Sequence, residues 1–208
     1  MTAPIMPPVL IIDLEVNPQT RQIFQIGALR PDSGEHYESP KLNGKAAFQA
    51  ALLQLERLSA GAEFVMGHNI IEHDLPYLRR AAPDLVLHKL PVIDTLRLSP
   101  LAFPQNPYHR LIKNHKLIAS ALNSPLADCH ACRDLFLDQC TAFGRLRETA
   151  PQAFSVYRTL FGDLPVVAGG RIACRSGVAV LPREALKQAP RLDPAAIEDI
   201  ICGCAIPE

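Results

Sequence analysis

Apolar residues along the chain fall into short runs of strand character that alternate with stretches of helical spacing. Residues 9–16 and 21–29 are compact apolar runs separated by the turn signal Asn17-Pro18, so they predict a strand pair. Apolar residues recur at helical spacing over residues 45–58 and predict a helix there. Further strands are predicted at 63–69 and 90–95, and further helices at 75–82, 108–122 and 127–147. This alternation indicates an α/β layer fold with helices on the faces of a sheet.

Two parts of the chain interrupt this pattern. Pro100, Pro104 and Pro107 predict a loop before the helix at 108–122. A boundary is expected near residues 148–152, which divides the chain into a main domain, 1–148, and a small C-terminal α+β extension, 149–208. Within the extension we expect a helix at 151–161, short strands and turns at 166–180, and a capped helix from Asp193. No chemical motif is evident there, so the extension is interpreted as a linker or docking element.

Composition limits the class of protein. The chain has 208 residues, of which 48% are hydrophobic and 20% charged, which is enough to bury a core. It contains no apolar run of the roughly 18–20 residues that a membrane span needs, and its start lacks a secretory signal pattern, so a cytoplasmic protein without a membrane partner is expected. The six cysteines all follow residue 128 and are expected to be free thiols.

Acidic residues at the ends of the apolar runs are the candidate chemistry. Asp13 and Glu15 lie two apart, so on a strand both carboxylates leave the same face. Oxygen ligands of this kind suit Mg²⁺ or Mn²⁺, although a solvated acidic strand end has the same pattern. Asp74 follows Gly67-His68-Asn69 at a strand-to-helix corner, where a carboxylate either caps the helix or faces the end of the sheet.

Together these motifs resemble those of a nuclease family. Asp13-Leu14-Glu15, the segment at 23–28 and the Gly67-His68-Asn69 to Asp74 block resemble the DEDD (DnaQ-like) 3′–5′ exonuclease superfamily, which has a ribonuclease-H-like fold. Val92-Ile-Asp94-Thr95-Leu96 also matches a strand end of that family. The resemblance covers roughly residues 9–145 and implies hydrolysis of DNA or RNA to nucleoside monophosphates, starting from a single-stranded 3′ end, with two Mg²⁺ or Mn²⁺ ions.

The resemblance also implies a fourth metal-binding acid. The family commonly has Leu-Phe seven and eight residues after that Asp, and placing Leu135-Phe136 there selects Asp128. Asp134 would need apolar residues at positions occupied by Thr141 and Ala142, and it follows Arg133 on what reads as a solvated helix face. The expected metal ligands are Asp13, Glu15, Asp74 and Asp128.

The expected general base is missing from its usual place. In this register the family's His falls on Asn123, and an asparagine side chain cannot accept a proton at neutral pH. His109, at the start of the 108–122 helix, is the first replacement candidate and His73 the second, whereas His115 shares a stripe with Leu111 and is expected to face the core. Two alternatives remain open: the bound metals alone lower the pKa of the attacking water enough, or the chain is a catalytically weak or inactive DEDD-fold module that binds nucleic acid or a partner.

Nucleic-acid binding must be local, because 21 basic and 21 acidic residues give a formal net charge of zero. Arg110, Lys113 and Lys116 recur every three residues opposite the apolar stripe of their predicted helix, and under the nuclease hypothesis they contact the phosphate backbone. A solvated helix face gives the same pattern. The further expected substrate contacts are Asn69, His73 and Asn123.

A fainter resemblance concerns the partner. Tyr108-His-Arg-Leu111 and the segment from Asn123 to Asp128 resemble exonuclease domains fused to RecQ-like helicases. That resemblance implies a helicase or another repair protein as a partner, for a chain that is either a fragment or a free-standing relative.

Cys129-His130-Ala131-Cys132 suggests a zinc site at first sight. Cys129 and Cys132 share a helix face, but His130 points elsewhere, Cys140 lies about two turns away, and a second Cys pair of suitable spacing is missing. Buried thiols that pack beneath the acidic site are the favoured interpretation.

Overall fold

The structure is a computed structural model that describes residues 6–107, 109, 124–161, 166–168 and 171–173. The strands are β1 (Val9–Val16), β2 (Ile23–Leu29), β3 (His36–Glu38), β4 (Phe64–Gly67), β5 (Val92–Asp94), β6 (Val166–Ala168) and β7 (Arg171–Ala173). The helices are α1 (Lys45–Ser59), α2 (Asp74–Ala81), α3 (Thr95–Ala102), α4 (Pro125–Thr149) and α5 (Pro151–Phe161), with a short 3₁₀ helix at Val86–Lys89.

Five strands form one mixed sheet in the order β3-β2-β1-β4-β5. β1 pairs antiparallel with β2, and β2 pairs antiparallel with β3. On the other side, β1 pairs parallel with β4, and β4 pairs parallel with β5. The expected fold class, a ribonuclease-H-like mixed sheet flanked by helices, is confirmed by this arrangement. Strands β6 and β7 form a separate antiparallel hairpin.

Alternate residues of β1 enter two different cores. Leu10, Ile12 and Leu14 pack on the face covered by α1 and α2. Val9 and Ile11 pack on the opposite face, where α4 contributes a row of buried side chains. That row consists of Cys129, Cys132, Phe136, Cys140 and Phe143. Because a strand alternates its faces, Asp13 and Glu15 continue the α4 side of the strand.

Helix α4 is the main support of that second face. Phe136 and Phe143 are fully buried, and each contributes about 1.5–3 kcal/mol through removal of its ring from water. Gln139 is also buried and donates hydrogen bonds to the Thr95 carbonyl at 2.7 Å and to the Ser99 hydroxyl at 2.8 Å. These contacts fix α4 against α3 and the sheet along its length, so the position of its first turn is also constrained.

The predicted elements are confirmed where the structure describes them, but α3, β3 and the short 3₁₀ helix at Val86–Lys89 were not predicted. The loop expected around Pro100 is wrong at its start, because α3 continues through Pro100 as far as Ala102. The Asp94 side chain caps this helix by accepting a hydrogen bond from the Leu96 amide. The prolines of this segment had favoured a loop, so the helix was not predicted from the sequence. β3 was not predicted, since three residues are too few for a recognisable alternation.

Some predictions concern residues outside the described part of the chain. The helix at 108–122 and the helix from Asp193 lie there, and the described residues of the 166–180 segment form only the β6–β7 hairpin. The division of the chain at 148/149 stays a prediction. Among the described residues, no helix has the length and apolar character that crossing a membrane requires.

Candidate metal site

The first two acids lie at the end of β1 where its ladder with β4 has stopped. The parallel pairing between β1 and β4 ends at Ile11, whereas the antiparallel pairing with β2 continues through Asp13 and Glu15. Both acidic side chains are half-buried. They therefore lie at the carboxyl end of β1, where the strand is still hydrogen-bonded to β2 but no longer to β4, and they face the start of α4.

The third acid comes from the first turn of α4. Ser124 precedes the helix and accepts a hydrogen bond from the Ala127 amide at 3.1 Å, and Pro125 occupies the first helical position, where a missing N–H costs nothing. Asp128 follows in the first turn, where the helix dipole favours a negative charge. Ser124 and Pro125 thus define where the helix starts, and the start determines where Asp128 is presented.

These elements bring three carboxylates into one cluster. One oxygen each from Asp13, Glu15 and Asp128 lies within 4.8 Å of the others. Hard carboxylate oxygens in a half-buried group are the ligand type that Mg²⁺ and Mn²⁺ prefer. The donor set therefore fits a divalent cation, and within the described residues no other group of histidine, cysteine or acidic side chains does so.

Asp74, the fourth predicted ligand, lies beside this cluster rather than inside it. Its side chain is almost completely buried, and its Oδ1 accepts a hydrogen bond from the Leu14 amide at 2.9 Å. Leu14 lies between Asp13 and Glu15, so this bond ties the start of α2 to the acidic end of β1. Burial raises the pKa of Asp74 above its ordinary value, and the nearby His73 opposes that rise only in part. Besides burial, the charges of Asp13, Asp74 and Asp128 each raise the pKa of the Cys129 thiol. Three of the four predicted acids therefore share one electrostatic environment.

His73 extends the site on the α2 side. Its Nδ1 lies 3.7 Å from Asp74 Oδ1, and its ring packs against Tyr77 with a centroid separation of 5.3 Å. The interaction with Asp74 raises the pKa of His73, and the charge of Glu15 adds to the effect. His73 is therefore more positively charged near neutral pH than an isolated histidine.

A second buried carboxylate shapes the corner between β4 and α2. Asp94 is fully buried and accepts hydrogen bonds from the backbone amides of Asn69 at 3.0 Å, Ile71 at 3.2 Å and Leu96 at 3.0 Å. Asn69 has a φ of 64°, a left-handed conformation that Asn adopts more readily than most residues. A backbone hydrogen bond to Asp94 therefore holds Asn69 at the β4–α2 corner, and its role as a substrate contact stays a prediction.

His68 lies close enough to Asp94 and Asp128 to feel their charges, although the sequence analysis did not name it as a site residue. Its Nδ1 lies 3.0 Å from the Thr95 hydroxyl, and it also hydrogen-bonds with the backbone of His109. Burial lowers its pKa, while the charges of Asp94 and Asp128 act in the opposite direction. The only sequence signal was its place in Gly67-His68-Asn69, directly after a buried strand.

The remaining predicted site residues divide into described and undescribed ones. His109 is half-buried and reaches the site region through its backbone contact with His68. Arg110, Lys113, Lys116 and Asn123 lie outside the described residues, so their roles stay predictions.

The cysteines at the start and middle of α4 are buried thiols, as the sequence predicted. The side chains of Cys129, Cys132 and Cys140 are buried, and burial raises the pKa of Cys132 to about 12 and that of Cys129 well above its ordinary value. Neutral thiols of this kind pack as apolar groups. Asp134 is exposed and pairs with Arg133 at 2.7 Å, as expected for a solvated helix face.

Comparison with known proteins gives distant structural likeness only. No protein-family model and no curated protein matches the sequence. Among solved structures, Brucella melitensis NrnC matches with a TM-score of 0.45 and 16% identity over 73% of this chain and 81% of that chain. The family B DNA polymerase from the hyperthermophilic archaeon Pyrobaculum calidifontis matches with a TM-score of 0.38 and 14% identity, over 79% of this chain and 30% of the polymerase.

Proposed function

We propose that this protein is a metal-dependent 3′–5′ exonuclease that hydrolyses phosphodiester bonds of DNA or RNA to nucleoside monophosphates. The observation that carries the proposal is the convergence of Asp13, Glu15 and Asp128 from β1 and α4 to within 4.8 Å of one another. Three like charges at this separation repel each other unless a cation lies among them. The motif order along the chain and the mixed sheet that presents these acids support the same class of enzyme.

The acids are proposed to hold two divalent ions, Mg²⁺ or Mn²⁺. Asp13, Glu15 and Asp128 supply the clustered oxygens, and Asp74 supplies a carboxylate anchored by the Leu14 amide. Bound ions of this type act as Lewis acids that activate water and neutralise charge on phosphate. Asp74 contributes most when ionised, and a neighbouring cation favours that ionised form despite its burial.

The two candidate histidines suit different tasks. A general base must be neutral before it accepts a proton, and the raised pKa of His73 opposes this near neutral pH. A positively charged His73, 43% exposed, suits contact with a substrate phosphate instead. We therefore assign His73 to substrate binding and retain His109 as the proposed base, supported by its half-buried place beside His68.

Other substrate contacts are proposed from chemistry and position. Asn69 lies at the β4–α2 corner that precedes Asp74, and Arg110, Lys113, Lys116 and Asn123 carry the polar groups expected to contact a single-stranded 3′ end. A helicase or other repair protein as a partner stays a prediction.

Cleavage of end-labelled substrates tests the proposal. The protein is incubated with 3′- and 5′-labelled single-stranded and duplex DNA and RNA, in Mg²⁺, in Mn²⁺ and in EDTA. We expect metal-dependent release of mononucleotides from the 3′ end, which Asp13→Asn and Asp128→Asn abolish. Asp134→Asn is the matched control, because it makes the same change on the same helix at an exposed position.

Two outcomes would contradict the proposal in different ways. Binding of nucleic acid without metal-dependent cleavage would favour the alternative, a DEDD-fold binding module. Cleavage that persists in Asp13→Asn and Asp128→Asn would place the chemistry elsewhere. An unchanged rate in His109→Ala would remove His109 as the base and leave the metal site intact.

A further inference from the structure

One row of residues crosses the sheet directly beneath the start of α4. Asp13 of β1 pairs with Gly27 of β2, and Gly27 pairs in turn with Glu38 of β3. Residues paired across adjacent strands project on the same face of a sheet. The row Glu38-Gly27-Asp13 therefore faces α4 along its whole width.

The first turn of α4 contacts this row at successive points. The Ser124 hydroxyl donates a 2.7 Å hydrogen bond to Glu38 Oε1 at the β3 end. At the centre, a Cβ placed on Gly27 would lie 2.4 Å from the carbonyl carbon of Pro125 and 2.6 Å from the Leu126 amide nitrogen. At the β1 end, Asp128 meets Asp13 in the acidic cluster.

The contact at Gly27 leaves no room for adjustment by side chains. Real Cβ atoms essentially never approach another atom closer than 3.0 Å, and the 2.4 Å separation here is about 0.6 Å below that limit and 1 Å below ordinary van der Waals contact at 3.4 Å. The opposing atoms belong to the backbone of Pro125 and Leu126, which cannot rotate away. Further along, α4 is held in the core by Phe136 and Phe143, so relief of a clash would displace chiefly its first turn.

We propose that Gly27, Glu38 and Ser124 are positioning residues. The close contact at Gly27 and the Glu38–Ser124 hydrogen bond together set the distance of Asp128 from Asp13 and Glu15. This inference rests on the proposed metal site. Gly27 fixes the height of the helix start above the sheet, and Glu38 fixes its lateral place through Ser124. A shift of about 1 Å in this turn separates one ligand from the other two, and misplacement on that scale is costly for metal binding and catalysis.

Mn²⁺ affinity and metal-induced stabilisation of Gly27→Ala test the proposal. We expect Mn²⁺ affinity to fall roughly 10- to 100-fold, as is typical when support of metal ligands is lost. The rise in melting temperature on addition of Mn²⁺ should shrink accordingly, while circular dichroism shows a folded metal-free protein. A purely structural role would lower the metal-free melting temperature and leave the metal-induced rise unchanged, and that result would overturn the proposal.

Gly144→Ala is the matched control. Gly144 lies in the same helix, and a Cβ there meets nothing within 4 Å, so the substitution should leave Mn²⁺ affinity at the wild-type value. If Gly27→Ala does not fold, Glu38→Ala and Glu38→Gln decide the question. Gln retains an oxygen that accepts from Ser124, so Glu38→Gln should preserve Mn²⁺ affinity and Glu38→Ala should lower it several-fold. Equal affinity in both would overturn the proposal.

Failure of the inference and failure of the proposed function are distinguishable. Absence of Mn²⁺ binding by the wild-type protein would overturn the metal site and the inference together. Wild-type binding that Asp13→Asn abolishes and Gly27→Ala leaves unchanged would overturn the positioning role alone.

Discussion

Removal of one charge from the acidic cluster should stabilise the metal-free protein. With three ionised carboxylates within 4.8 Å, each pair repels by about 1 kcal/mol even at the dielectric constant of water. Asp128→Asn preserves the shape of the side chain and removes two of the three repulsive pairs, which is worth about 2 kcal/mol. It also removes the favourable interaction of the charge with the start of α4, worth about 0.3–1 kcal/mol.

The net gain is therefore about 1 kcal/mol, which corresponds to a rise of about 2–4 °C in the melting temperature of a chain of this size. Thermal denaturation in EDTA and in Mn²⁺ measures both sides of the effect. Asp128→Asn should melt higher than the wild type in EDTA, and it should lose most of the stabilisation that Mn²⁺ gives the wild type.

Asp134→Asn controls for the substitution itself. Asp134 is exposed and paired with Arg133, so its replacement should change the melting temperature slightly or lower it. If Asp128→Asn melts at or below the wild-type temperature in EDTA while Asp134→Asn behaves as expected, the electrostatic reasoning is wrong.

Three further predictions concern the surroundings of the cluster. Asp74→Asn keeps an oxygen that accepts from the Leu14 amide but removes a buried charge. The metal-free melting temperature at pH 7 should therefore rise, while Mn²⁺ affinity falls. A lower metal-free melting temperature would contradict this prediction. Asp94→Ala leaves two backbone amides at the β4–α2 corner and one in the first turn of α3 without their acceptor. It should lower the free energy of unfolding by about 3 kcal/mol or more, measured in urea against the exposed control Asp84→Ala. Cys129, Cys132 and Cys140 should resist iodoacetamide at pH 8 in the folded protein and react after denaturation, as peptide mass mapping would show; equal labelling of the folded and denatured forms would refute their burial.

The parts of the fold that sequence could predict are those with a strong local pattern. β1 and α1 have apolar residues at strand and helical spacing, and both form where expected. β3 is too short to show a period, and α3 contains Pro100, so its helical character depends on the cap from Asp94 and on contacts with Gln139 of α4. The Asp94 cap is local, but the Gln139 contacts join residues 40 and 44 positions apart in the chain, which is why a local pattern could not predict them.

The candidate site shows the same division. Asp13 and Glu15 share a face because of their spacing on one strand, and that relation is local. Asp128 was selected by its register with Leu135-Phe136, and the structure brings it to the other two acids. Asp74 is buried and bonded to Leu14, sixty residues away, and His68 is bonded to Thr95 and to the backbone of His109. Sequence therefore predicted that acids of β1 and α4 come together, whereas tertiary packing determines their electrostatic environment.

The contrast between Asp74 and the other acids links metal binding to protonation. Burial raises the folded-state pKa of Asp74 above its ordinary value of 3.8. As pH rises from 3.8 toward the raised pKa, Asp74 loses its proton first in the unfolded chain. The metal-free folded state is therefore penalised above the raised pKa and relieved of the penalty below 3.8. A cation favours the ionised carboxylate, so its binding to this site removes a proton whenever Asp74 still carries one. Under the proposed four-acid site, we therefore expect metal affinity to increase with pH until Asp74 is ionised without the help of the metal, and the same affinity in Asp74→Asn should lose this part of its pH dependence.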